Sequence, residues 1–95
     1  MEIINAVFYI KEDQRAAFMA AVEPLLVSAR AEAGCHGYHL YESTEEPNRF
    51  VMVEKWADQA AIDAHNQTAE LQHLFKKMPE FAAKPTEITV THQGE

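Results

Sequence analysis

The chain is short of several things, and each shortage closes off a class of protein. One cysteine, Cys35, among 95 residues rules out an internal disulfide framework and a cysteine-rich zinc module. A reducing, cytoplasmic setting is the simplest expectation. Three glycines can hardly build a phosphate-cradling loop or a dinucleotide fingerprint. Basic residues are outnumbered, 8 against 15 acidic ones, for a net charge of −7, so neither nucleic acid nor an anionic membrane surface is an expected partner. No apolar run approaches the roughly 18 residues of a transmembrane span. The opening Met1-Glu2-Ile3-Ile4-Asn5 lacks the basic region of a secretory signal. What is present is ordinary for one folded domain, expected over residues 1–95. The exception is a hydrophobic content of 47%, which is generous for so small a domain working alone.

Periodicity supplies the elements. Residues 3–10, rich in β-branched and aromatic side chains, predict a strand. Residues 13–33 predict a helix on which Phe18, Val22, Leu25, Leu26 and Ala29 share one stripe. Asp13 is the expected N-cap and Gly34 the expected C-cap, while Pro24 should kink or split the helix. Two more strands follow at 36–43 and 49–56, joined by a turn at Glu45-Glu46-Pro47-Asn48. Asp58 is expected to cap a short helix over 59–66. Thr68 should cap another, on which Leu71, Leu74, Phe75 and Met78 form an apolar stripe. Pro79 and Pro85 should bracket a loop before a last strand at 86–92. The order β-α-β-β-α-β is the ferredoxin-like arrangement, an α+β fold with a four-stranded antiparallel sheet. Its helices cover one face of the sheet only. Strands one and three nevertheless carry apolar side chains on both faces, which marks strands buried on both sides. A second copy packed sheet against sheet is the economical cover.

Few residues stand out as chemistry. Neither Ser28 nor Ser43 lies in a nucleophile-elbow setting. Cys35 and His36 are adjacent in an extended segment and point to opposite sides, so they do not make a thiol–imidazole pair. The five histidines lack metal-ligand spacing, and no metal site is expected. His65, three residues after Ile62, falls near the inner face of its short helix. There it is either a proton acceptor near neutral pH or a helix-end histidine bonding a carbonyl. Asn5, the one polar side chain inside the first strand, either makes a structural bond or faces a cavity. Glu54 shares its strand face with Phe50, Met52 and Trp56 and needs a donor, an ion pair or a pocket edge. Trp56, Met52 and Phe75 are candidates for a flat aromatic pocket, with the core as the alternative.

Three stretches carry a resemblance: Glu32-Ala33-Gly34-Cys35-His36-Gly37-Tyr38, Phe50-Val51-Met52-Val53-Glu54-Lys55-Trp56, and Ala60-Ala61-Ile62-Asp63-Ala64-His65-Asn66-Gln67-Thr68. Together they resemble the antibiotic biosynthesis monooxygenase domain family, especially its quinol monooxygenase-like members. The most specific part is Glu54-Lys55-Trp56 with His65 and Thr68 following at fixed distance. The resemblance implies a homodimeric α+β barrel with a pocket between sheet and helices in each subunit. It also implies oxygenation of a small quinol or phenol by molecular oxygen with no cofactor. On that basis His65 and Asn5 are the expected catalytic residues, and Trp56, Met52, Phe75 and Glu54 the expected substrate-binding ones. A haem-degrading branch has an Asn, a Trp and a His ligand. This chain has Asn5 but carries His65 and Phe75 at the other two positions, so it departs from that pattern. Two other functions stay open: a non-catalytic small-molecule-binding or stress-response dimer, and an isomerase of a phosphorylated quorum-sensing signal. The latter needs positive charge, for which Arg49 and Lys55 are nearest in sequence.

Overall fold

A computed structural model describes residues 1–93. Strands β1 (Glu2–Ile10), β2 (Cys35–Glu42), β3 (Arg49–Trp56) and β4 (Ala82–His92) form one antiparallel sheet in the order β2-β3-β1-β4. Helices α1 (Arg15–Arg30), α2 (Gln59–Asn66) and α3 (Ala69–Phe81) complete the expected α+β ferredoxin-like topology. Alternation along the strands sends Ile4, Ala6, Phe8 and Ile10 of β1 and Phe50, Met52 and Trp56 of β3 toward the helices, where all are buried. Phe18, Val22, Leu25 and Ala29 of α1 and Leu74, Met78 and Phe81 of α3 close over them. Phe18 contributes most to the aromatic contacts, with ring centroids 5.1 Å from Phe50 and 5.5 Å from Phe8. The opposite sheet face carries Ile3, Val7, Val51 and Val53, all half-buried with no layer above them. Among the described residues no helix is long and apolar enough to cross a membrane.

Several local expectations are corrected. Asp13 does not cap α1. It lies in a 3-10 turn over Glu12–Gln14, and Gln14 precedes the helix without a side-chain cap bond. Pro24 neither splits nor ends α1. It sits on the exposed side, as does Ala20 four residues earlier, so water can satisfy the carbonyl that loses its partner. The helix stops at Arg30 with Ala31 as its cap, not at Gly34. Gly34 is required for a different reason: a Cβ there would come within 2.3 Å of the Ala61 Cβ on α2. Pro79 and Pro85 do not bracket a loop, because α3 runs through Pro79 to Phe81 and β4 begins at Ala82. Buried Met78 and Phe81 hold the last turn of α3 on the sheet. Pro85 is accommodated on an edge strand where the β1–β4 register shifts between Val7 and Tyr9. The two short-helix caps are as expected: Asp58 accepts from Ala61 N at 2.9 Å and Thr68 Oγ1 accepts from Leu71 N at 3.4 Å.

Candidate active site

The site begins with the way α2 ends. Its apolar residue Ile62 is buried, and one turn later His65 is buried too, 2% exposed. Thr68, while capping α3, donates its hydroxyl to the His65 carbonyl at 2.8 Å. One residue therefore starts α3 and ties off α2, which fixes where the imidazole enters the core. The Trp56 ring lies alongside it with centroids 4.5 Å apart, and the Tyr38 ring meets it edge-on at 5.2 Å.

Both ring nitrogens are engaged. Nδ1 is 2.8 Å from Glu32 Oε2, and Nε2 is 3.3 Å from the Tyr38 hydroxyl and 3.9 Å from Glu54 Oε1. A carboxylate only accepts, so in the neutral imidazole the proton belongs on Nδ1 and Nε2 carries the lone pair, accepting from the Tyr38 hydroxyl. Glu54 is held from its other side by Trp56 Nε1, which donates to Oε1 at 3.0 Å. Burial pushes the Glu54 carboxyl up to about 7, the indole bond opposing this and the nearby Glu32 charge adding to it. Burial, with help from the Glu54 and Glu32 charges, also raises the Tyr38 phenol, so it stays protonated. A neutral phenol, an imidazole and a carboxyl poised near neutrality thus meet at one point.

That point is the inner end of a cavity of about 160 Å³ between the sheet and α2/α3. Tyr38, Glu54 and His65 supply its polar end. Apart from Asn66, which follows His65 at the end of α2, the remaining walls are apolar, among them Ile4, Ala6 and Phe8 from β1, Leu25 from α1, and Leu71 and Leu74 from α3. An apolar cavity of roughly 150 Å³ takes up a benzene molecule, so this one suits a single ring. A haem macrocycle does not fit.

Of the residues expected from sequence, the structure gathers His65, Glu54 and Phe75 on the cavity wall. It places three others elsewhere. Asn5 is exposed on the opposite sheet face, because it alternates with Ile4 and Ala6. Trp56 and Met52 are buried but do not line the cavity. Trp56 acts one step back, through Glu54 and the His65 ring. The imidazole bonds two side chains and not a carbonyl, so the helix-end alternative for His65 is excluded. Sequence reasoning did not single out Tyr38 or Glu32. For Tyr38 a signal was available, since it alternates with Leu40 on β2 and pairs directly with Glu54. Glu32 lies in the irregular turn after α1, where no periodicity points to it. Cys35 is half-buried and its thiol is raised by burial, the opposite of an activated nucleophile. Among the described residues no group of three or more His, Cys, Asp or Glu side chains is arranged to hold a metal ion.

The model of the antibiotic biosynthesis monooxygenase family matches residues 1–77. The chain belongs to the antibiotic biosynthesis monooxygenase family. A Bacillus subtilis (strain 168) relative named "Putative monooxygenase YcnE" is 36% identical over 95 residues, the whole of both chains. Among solved structures, protein SO0527 from Shewanella oneidensis is similar at a TM-score of 0.90 and 38% identity, over 97% of this chain and 89% of that one. Rv0793 from Mycobacterium tuberculosis superposes at a TM-score of 0.92 with 26% identity, over 99% and 95% of the two chains. The matched residues 1–77 include Glu32, Tyr38, Glu54 and His65. The outer, β4 side of the cavity lies beyond them.

Proposed function

We propose that the chain is a monooxygenase of its family acting on a small quinol or phenol, with His65 as the base. The observation that carries this is a buried imidazole whose Nδ1 is fixed by Glu32, leaving Nε2 as the acceptor, within reach of the Tyr38 hydroxyl, at the polar end of a one-ring, largely apolar cavity. A phenolic hydroxyl entering that end gives its proton to Nε2, and the resulting phenolate is electron-rich enough to pass one electron to molecular oxygen. Recombination forms a carbon–oxygen bond on the ring, and cleavage of the O–O bond releases the second atom as water. A hydroquinone and O₂ become a hydroxyquinone and water, the ring supplying all four electrons. Exclusion of water by the apolar walls favours this over simple loss of the radical to solvent. Glu54, raised to about 7, exchanges a proton near neutral pH and supplies it to the departing oxygen, while the Tyr38 hydroxyl, which keeps its proton, donates a hydrogen bond at the same end.

The isomerase reading finds no support in the lining. Among the described residues no lysine or arginine faces the cavity, and a phosphate there would meet Glu54 without a counter-charge. The binding-module reading shares the same cavity and differs in outcome only: it expects retention of aromatic ligands with no product. Enzyme-dependent oxygen uptake across a panel of hydroquinones decides between them, and uptake no faster than autoxidation contradicts the oxygenase.

The working unit we propose is a homodimer. Ile3 and Val7 on β1 and Val51 and Val53 on β3 form a contiguous apolar strip on the face without helices, and another copy is its natural cover. Asn5 lies in that strip, so its amide belongs to the subunit interface and not to the chemistry.

A further inference from the structure

The cavity is longer than its polar end requires. Registers across the sheet place Tyr38, Glu54, Ile4 and Val90 in one row, and Leu40, Met52, Ala6 and Ile88 in the next. Adjacent strands are about 4.8 Å apart, so Val90 lies roughly 10 Å across the cavity floor from Glu54, further than one six-membered ring reaches. The outer end is also the open one. Ile88 is 55% exposed, Val90 54% and Phe75 36%, yet all three line the same cavity as buried His65. They are three of the seven exposed large hydrophobic side chains in the described residues. Ile88 and Val90 pair with Ala6 and Ile4 and share their helix-facing side, the face away from the sheet-to-sheet contact proposed above.

We infer that this lip is a subsite for an apolar substituent carried on the ring edge away from the reacting hydroxyl, an alkyl or prenyl chain of a few carbons. The occupant is a ligand tail because the lip is continuous with the one-ring cavity and its three exposed residues, Phe75, Ile88 and Val90, offer hydrocarbon, the polar lining residues Tyr38, Glu54, His65 and Asn66 coming from β2, β3 and α2. A ring seated with its hydroxyl at His65 Nε2 directs its far substituent along Ile4 and Ala6 toward Val90 and Ile88. Polar or charged substituents there would lose water with nothing to replace it. The inference rests on the ring-binding reading but not on oxygenation.

Equilibrium binding of phenol and of 4-ethyl-, 4-butyl- and 4-hexylphenol tests it without turnover. Full burial of a methylene corresponds to about fourfold in affinity, and an open lip should give between about twofold and fourfold per methylene. Ile88→Ser with Val90→Ser should flatten that dependence while leaving the affinity for phenol within about twofold. The 2-alkyl isomers should gain much less, since their chains leave the ring beside Glu54. Equal affinity along the 4-alkyl series, or an unchanged slope in the double variant, overturns the subsite. Dissociation of the dimer in the double variant overturns it as well, because the lip would then be a protein contact. Absence of phenol binding at all would contradict the ring-binding reading itself, a separate outcome.

Discussion

At the scale of single residues, the account turns on three side chains whose states depend on one another. Glu32 touches no ligand. It holds the proton on His65 Nδ1 from the solvent side, its own side chain 20% exposed, and so leaves Nε2 basic toward the cavity. Nitrogen-15 shifts of His65 should report the Nδ1–H tautomer in the wild type and in Glu32→Gln, whose amide oxygen still accepts. Glu32→Ala should give mainly the Nε2–H form with an oxygenation rate lower by about 10²-fold, the lower end of what a positioned base contributes. An unchanged tautomer in Glu32→Ala would remove the positioning role. Glu54 makes a pH prediction. Its folded-state pKa of about 7 lies above the ordinary 4.5, so the native state binds the proton more tightly than the unfolded chain. Stability contributed by the protonated form is therefore complete below about pH 4.5 and lost as pH rises to about 7, by up to about 3 kcal/mol. Glu54→Gln, which keeps an acceptor for Trp56, should abolish that loss. Denaturant midpoints between pH 4 and 8 measure it, and parallel curves for the two proteins would contradict it.

At the scale of elements, much of the architecture is legible from residue patterns. Alternation in residues 3–10 and 49–56, the caps Asp58 and Thr68, and the stripe on α3 each specify an element and the face it buries. Most of the failures share a cause. Local rules make Pro24, Gly34 and Pro79 punctuation, and tertiary packing overrides them: α1 and α3 are held down by buried anchors while each helix proline stays exposed. Asp13 is exposed in a 3-10 turn and packing plays no part there. Gly34 is the clearest case, chosen for the approach of α2 and not for backbone conformation. Gly34→Ala should destabilise by about 1–3 kcal/mol, as overpacking does, and should loosen α2 and with it His65. A thermal midpoint equal to wild type would show that α2 moves aside freely. The site was half legible for the same reason. His65 and Glu54 declare themselves as polar groups on apolar faces, and the alternation that locates Glu54 also takes Asn5 to the other side. Glu32 reaches His65 from an irregular turn across 33 residues of sequence, and neither period nor motif encodes that contact.

At the scale of the whole molecule, the high apolar content finds two uses. One share fills the core. The other lies on the strip of Ile3, Val7, Val51 and Val53, and a net charge of −7 on the remaining surface opposes further association. Light scattering should give twice the chain mass of 10.8 kDa, and Val53→Glu should shift it toward the monomer. A monomeric wild type would contradict the dimer. The chemistry proposed for each subunit is then tested most directly by turnover of a hydroquinone under ¹⁸O₂ with mass spectrometry of the product. The account predicts a hydroxyquinone bearing one heavy oxygen, formed by the wild type and not by His65→Ala. A product without the label, or equal labelling by the His65→Ala protein, would contradict it.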